Sequence, residues 1–378
     1  MPATKKQKSN IIATASLSAL ETVSARRITE EAYTSSESVY TPSNSAATRL
    51  ISGRNNKAYL CHLGLRVQAF EILYKEFVLH YPQKCQTECP RILDAKMVLA
   101  LVLIWLHSEM EQEVLGLIFG APAAVINRSK DLGIQTLLTV FQSKPNDPRW
   151  EIAWPSSNKK AEFNEMVLSK TAIDFERGVL AGVFGFVDSL SLKIEHPVDP
   201  LEHNAYYIKC KRDCFTSQII AFTPDGCICY VRFNCPGTWD DSEIAEPLYE
   251  NLLSSKCHEP FKVISDSSFP CKRKFASKVL STSKRNAVGV NLQDRETKRK
   301  HAVIKKNIPA VRWGMKSLQK WFGRLNLKLS ANKQERHDSL SVVWRLHNFR
   351  IRVDGNNQIR TAYHGAWNYG ENALETSE

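Results

Sequence analysis

Apolar residues recur every three or four positions through "LRVQAFEILYKEFVLHY" (65–81), which predicts a helix that stops before Pro82. "DAKMVLALVLIWLHSEM" (94–110) predicts a second helix, apolar nearly all round and therefore buried. In "EQEVLGLIFGAPAAVINRSKDLGIQTLLTVF" (111–141) a short helix ends at Phe119-Gly120, and Pro122 is placed to open the next. Helix, glycine turn, helix is the layout of a helix-turn-helix, although many helical pairs share it without touching DNA. As a DNA reader, its second helix would present Asn127, Arg128 and Lys130. The pattern is helical from about 56 to 178. Residues 1 to 48, rich in Ser, Thr and Ala and without periodicity, are expected to be a disordered tail.

After Gly178 the period changes. "GVFGFVDSLSLKI" (182–194) is β-prone and apolar on both faces, with Asp188 near its middle. "SQIIAFTPDGCICYVRF" (217–233) predicts two strands joined at Pro224-Asp225-Gly226, and "FKVISD" (261–266) a third short strand closed by Asp266. Helical stretches follow at 309–325 and 338–349. In the first, Val311, Met315, Leu318, Phe322 and Leu325 make the buried stripe, and Arg312, Lys316 and Lys320 a cationic row beside it. Gly314 inside that helix implies a close neighbour, because glycine there costs roughly 1 kcal/mol relative to alanine. Strands followed by covering helices make an α/β domain over 179–367. Residues 272–306 carry twelve Lys and Arg against two acids and read as a basic loop or insert.

Composition narrows the class. Lys and Arg outnumber Asp and Glu by 51 to 39, a net charge of +12 that favours a polyanionic partner, with nucleic acid first among them. The longest apolar run, 97–106, is ten residues, against the roughly 20 that span a bilayer, so a soluble protein with no membrane partner is expected. The ten cysteines are scattered without a Cys-x-x-Cys pair or a His-x-x-x-His partner, which argues against a structural zinc site and for reduced thiols in cytosol or nucleus. "KKQK" (5–8) is readable as a nuclear import signal or as a solvated tail. In "RLHNFRIR" (345–352) the arginines either contact phosphate or snorkel from a terminal helix. Trp150 and Trp154 fit a linker packed on the sheet.

Three aspartates carry the candidate chemistry. Asp188 interrupts an apolar strand, Asp241 follows "CPGTWD" into a helix, and Asp266 ends a strand. A carboxylate in apolar surroundings is costly unless paired, protonated or bound to metal. Converging in one sheet, three of them suit Mg²⁺ or Mn²⁺ and metal-assisted phosphodiester attack. Each is equally a residue type that caps helices and turns.

The series "GFVDSLSLKI", "CPGTWDDSEIAEPLYENL", "VISDSSFP", "RWGMKSLQKWFGRL" and "WRLHNFRIRVDGNNQIRTAYHGAW" resembles the DDE endonuclease domain of Harbinger-type transposases, in the lineage frequent in fungal genomes. The likeness runs from about Leu93 to Trp367. It implies an RNase H-like mixed sheet flanked by helices and preceded by a helical DNA-binding region. It also implies metal-ligand and catalytic roles for Asp188, Asp241 and Asp266, a nuclear location, and a Myb-like helper protein. His347 and Asn348 match an element that looks structural in that family. The family's turn before the second acid has a histidine where this chain has Asp240.

One position departs from the family in charge. The family's fourth ligand is a glutamate in Glu-Trp-Gly-Met, and Arg312 stands there. A guanidinium cannot coordinate a cation, but it can sit among the carboxylates in a cation's place, bridging two of them. Glu296 or Asp294 would be the surrogate acids. Two functions follow: a metal-dependent DNA endonuclease that tolerates Arg312, or a decayed or domesticated transposase that binds DNA without cutting. A globular protein with neither partner is the third.

Overall fold

The computed structural model describes residues 41–82, 91–253, 260–266, 269, 277–282, 295–355 and 357–364. Helices open the chain: α1 (Ala46–Gly53), α2 (Asn56–Leu63), α3 (Val67–His80), α4 (Ala95–His107), α5 (Gln112–Phe119), α6 (Ala123–Ser143), α7 (Ser157–Leu168) and α8 (Asp174–Leu180). Side chains cap several of them. Asp94 accepts from the Met97 N–H at α4, and Asn55 from Lys57 and Ala58 at α2. The first described turn comes earlier than the composition implied. Residues 42–44 form a 3₁₀ turn, Ser45 caps α1, and Ala47 is buried, so 41–48 belong to the fold. Residues 1–40, with "KKQK", lie outside the described residues. From Val98 to Ile104 every α4 residue is at most 4 % exposed, as its all-round apolarity requires.

The sheet follows. Strand β1 (Val183–Lys193) is central, and after α9 (Pro200–Tyr206) come β2 (Tyr207–Ile208), β3 (Asp213–Phe222) and β4 (Ile228–Pro236). Helices α10 (Asp241–Ile244) and α11 (Glu246–Leu253) lead to β5 (Lys262–Ser265) and β6 (Val279–Leu280). Strand β1 pairs antiparallel with β3 and parallel with β5. Strand β4 lies antiparallel on the far side of β3, and β6 lies parallel beside β5. The mixed sheet thus runs β4-β3-β1-β5-β6 along its main path, with the two-residue β2 beside the start of β3. The β3–β4 turn closes where Pro-Asp-Gly predicted it, with Gly226 at φ +88°.

Three helices end the described chain: α12 (Arg295–Trp321), α13 (Lys333–Asp354) and α14 (Gln358–His364). Helix α12 starts inside the segment read as a basic loop. Its first turns are long-chain helix formers whose charges face water, with Glu296 paired to Lys300 at 2.7 Å. No apolar stripe marks these first turns; the buried stripe begins at Val303 and Ile304, ahead of the expected start at 309. Helix α13 latches the hairpin. Asn348 donates to the Ile228 and Glu151 carbonyls and accepts from the Ile228 N–H, while His347 reaches the Gly226 carbonyl. Trp154 packs edge-on against Phe184 and Tyr230 of the sheet, and Trp150 lies among Phe141 and Phe349. One hydrophobic core runs continuously through helices and sheet. Among the described residues no helix is long and apolar enough to cross a membrane.

Candidate functional site

Register places two of the aspartates. In the parallel β1–β5 pair, Val187 stands beside Ser265, so one step further along both chains Asp188 comes beside Asp266. Neighbouring strands lie about 4.8 Å apart, and equivalent positions in a parallel pair face the same side. Asp241 arrives from the other direction. After β4 the chain turns through Gly237, where a Cβ would stand 2.3 Å from the Phe215 carbonyl oxygen; only glycine fits so tight a return. Asp240 then caps α10 by accepting from the Ser242 N–H at 2.8 Å, and Asp241 is the first residue of that helix. The capping role weighed for Asp241 is therefore carried by its neighbour.

Asp188 feels the whole group. Its carboxyl is pushed up to about 6, first by burial and then by the negative charges of Asp266 and Asp241. The Ser189 N–H, donating at 2.9 Å, and the Arg312 guanidinium act the other way. Three acids and one arginine thus share a single field. They do not form a closed cage: among the described residues, these three carboxylates are not gathered within 4.8 Å of one another.

Arg312 reaches Asp266. Its Nη2 donates to Oδ2 at 3.0 Å and its Nε to the same oxygen at 3.4 Å. The expected bridge between two carboxylates is in fact a clamp on one, because both donors of one edge of the guanidinium converge on that oxygen. The cause of its position is packing. Val311, Met315 and Leu318 are buried, and a Cβ on Gly314 would stand 2.5 Å from the Phe222 ring of β3. Glycine lets α12 settle directly on the sheet, and the next row of the helix then projects past the end of β5. Lys316 and Lys320 are exposed along that row. A cleft of about 870 Å³ follows it, lined by Asp266, Lys298, His301, Lys305, Arg312 and Lys316. Lys298, His301 and Lys305 were not singled out from the sequence, since they sit in the stretch read as a loop.

Of the two surrogate acids, Glu296 does not reach the site. Glu296 is sixteen residues before Arg312, about 24 Å along the helix, and is held by Lys300. Asp294 lies outside the described residues. The helical pair α5–α6 forms as drawn, with Gly120 left-handed at φ +63°. The side chains expected to read DNA divide. Arg128 is exposed, whereas Asn127 accepts from Lys130 at 2.9 Å and from Gln112. Lys130 also lies over the Trp105 ring and pairs with Asp131. In "RLHNFRIR" the arginines divide: Arg350 is buried over Trp321, whereas Arg352 is exposed and donates to the Pro148 and Glu151 carbonyls.

Comparison with protein families matches residues 187–348 to the DDE superfamily endonuclease, a span that contains all three aspartates and Arg312. No curated protein and no solved structure matches the chain.

Proposed function

We propose, from the DDE superfamily endonuclease domain that residues 187–348 carry, that this is a transposase-derived protein that holds duplex DNA in its basic cleft without cutting it. The observation behind this reading is the 3.0 Å ion pair between Arg312 and Asp266. Endonucleases of the superfamily typically use divalent metal ions. The residues here do not fit one as they stand. One of the three carboxylates is bound to a guanidinium, and the helix offers a cation where a ligand is needed. The fixed charge of Arg312 offsets part of the acids' negative charge, as a bound cation would, but supplies no Lewis acidity.

The net charge of +12 and the lysines beside Asp266 support DNA as the ligand. An RNase H-like reading of the sheet is supported by its order, three antiparallel strands followed by two parallel to the first. The Pro-Gly turn before Asp241, the text Trp313-Gly314-Met315 and the His347-Asn348 latch support the Harbinger-type, fungal lineage. Within that reading the 179–367 domain acts in the nucleus, with a Myb-like helper to deliver it, and the α5–α6 pair assists as a helix-turn-helix through Arg128.

The second reading, a metal-dependent endonuclease, is favoured by the shared field of the three aspartates. Supercoiled-plasmid nicking with Mn²⁺ separates the two. Non-cutting binding predicts no nicking by the wild type and measurable nicking by Arg312→Glu. Wild-type nicking that Asp266→Asn abolishes would establish the second reading. Duplex binding whose affinity does not fall with salt would remove DNA from both.

A further inference from the structure

A second cluster lies beyond the end of β1 away from the carboxylates. His196, His203 and Cys214 bring one donor atom each into a group whose members all lie within 4.8 Å of one another, and no other such trio occurs among the described residues. His196 follows the last β1 residue by three positions, His203 is in α9, and Cys214 is the second residue of β3. The three therefore come from the start, middle and end of the connection between two adjacent strands. From Asp188 to the end of β1 is five residues, about 17 Å of strand, so this group is separate from the aspartate site.

The distances are those of a coordination shell. His196 Nδ1 and His203 Nε2 are 3.2 Å apart, and Cys214 Sγ is 3.8 Å from the same Nδ1. Tetrahedral Zn²⁺ with Zn–N of about 2.0–2.1 Å and Zn–S of about 2.3 Å gives N···N near ~3.3 Å and N···S near ~3.6 Å. The outer contacts fit as well. Asp213 Oδ1 stands 3.1 Å from His196 Nε2 and accepts the Cys214 backbone N–H at 3.0 Å, so one carboxylate oxygen orients two of the donors. A carboxylate behind a histidine is the usual way a ring is turned to present its other nitrogen to a metal. His203 is stacked between His196 and Tyr207 at centroid distances of 5.4 and 5.1 Å. Lys328 also pairs with Asp213 Oδ1, at 3.0 Å.

We infer that His196, His203 and Cys214 form a Zn²⁺ site whose fourth position is open to water and which clips the β1–β3 connection shut. Thiolate and imidazole are borderline-soft donors that select Zn²⁺ over Mg²⁺. Binding releases the Cys214 thiol proton to solvent. The clip also bears on the neighbouring turn, because Thr238 Oγ1 donates to the Ala205 carbonyl of α9 at 2.7 Å. Nothing in the spacing, seven and then eleven residues, advertises the site. It exists only once the connection has folded back.

The test uses the full chain, stripped with a chelator and titrated with Co²⁺ and Zn²⁺. One equivalent of Co²⁺ should produce thiolate-to-metal charge transfer and the strong visible bands of tetrahedral cobalt, and Zn²⁺ should bleach both. Cys214→Ser should abolish the charge-transfer band. His196→Gln, at a half-exposed ring that is not a core position, should weaken Zn²⁺ binding at least roughly 10-fold, and Asp213→Asn by about 10-fold. Asp266→Asn should leave the titration unchanged. A missing thiolate band in the wild type, or a Cys214→Ser protein that folds and keeps it, would overturn the site. So would equal Zn²⁺ affinity in wild type and His196→Gln, which would leave the two rings as a simple hydrogen-bonded pair.

Discussion

Two places along one stretch of chain, the middle of β1 and the connection beyond its last residue, solve one electrostatic problem in opposite ways. At the Asp188 end, hard carboxylates converge and the chain supplies the positive charge itself, through Arg312 on Asp266. At the His196 end the donors are imidazole nitrogens and a thiol, and Asp213, the carboxylate in contact with them, stands behind as an orienting group. The first end carries its own cation and has little use for another. The second has convergent lone pairs, and its neighbouring lysines, Lys328 and Lys193, pair with Asp213. Residue types alone would have ranked the acids as the metal site. The position of one guanidinium reverses that order.

The largest expected effect would break the comparison at its first end. Arg312→Glu replaces the internal cation with a ligand and should raise Mn²⁺-dependent nicking by on the order of 10²-fold or more over the wild type. Zn²⁺ binding at the other end should not change in that variant.

Thermal melting sharpens the contrast next. Zn²⁺ at about 100 times its Kd should stabilise the chelator-treated wild type by about 2.7 kcal/mol, or about 5 °C in Tm. Mn²⁺ at the same concentration should give no rise until Arg312 is replaced. A Mn²⁺ shift as large as that of Zn²⁺ in the wild type would erase the difference between the two ends.

Gly314→Ala tests why Arg312 stands where it does. The added Cβ would meet the Phe222 ring at 2.5 Å, so the helix must lift or the ring must turn, at a cost of about 2 kcal/mol. Denaturant unfolding should show that loss. A neutral substitution would mean that α12 is not seated on the sheet by this contact.

The smallest effect is a titration. The folded protein holds the Asp188 carboxyl near 6, against an ordinary 3.8, so the fold prefers its protonated form. The benefit of that proton is complete below pH about 3.8 and is lost as pH rises through 6. Asp188→Asn should therefore be more stable than wild type by about 1–2 kcal/mol at neutral pH, and the gap should close as pH falls toward 4. An Asp188→Asn protein less stable than wild type at neutral pH would show that the carboxylate is wanted charged. His347 runs the opposite way. Burial holds its imidazole down to about 3, so its contribution is present above pH about 6.5 and lost as pH falls toward 3, and His347→Gln should flatten that loss.

Helices 65–81 and 94–107, the Asp188 strand, the Pro-Asp-Gly hairpin and the apolar stripe from 311 to 325 were legible because each depends on residues close in sequence, through period, cap or turn. The row from Arg312 to Lys320 was legible for the same reason. The start of α12 was not, since a charged solvent-facing helix has no apolar period, and neither were β6 or the two-residue β2, which are too short to show alternation. The amino-acid sequence by itself determined that one acid interrupts a strand, one opens a helix and one closes a strand, that an arginine replaces an acid on a core-facing helix, and that a glycine brings that helix close to its neighbour. Tertiary structure decided which carboxylate the arginine grips, that Asn127 and Lys130 pair with each other, and that two histidines and a cysteine meet beyond the end of β1. Those outcomes depend on parallel register and on a folded-back connection, and such long-range geometry leaves no periodic trace in the chain.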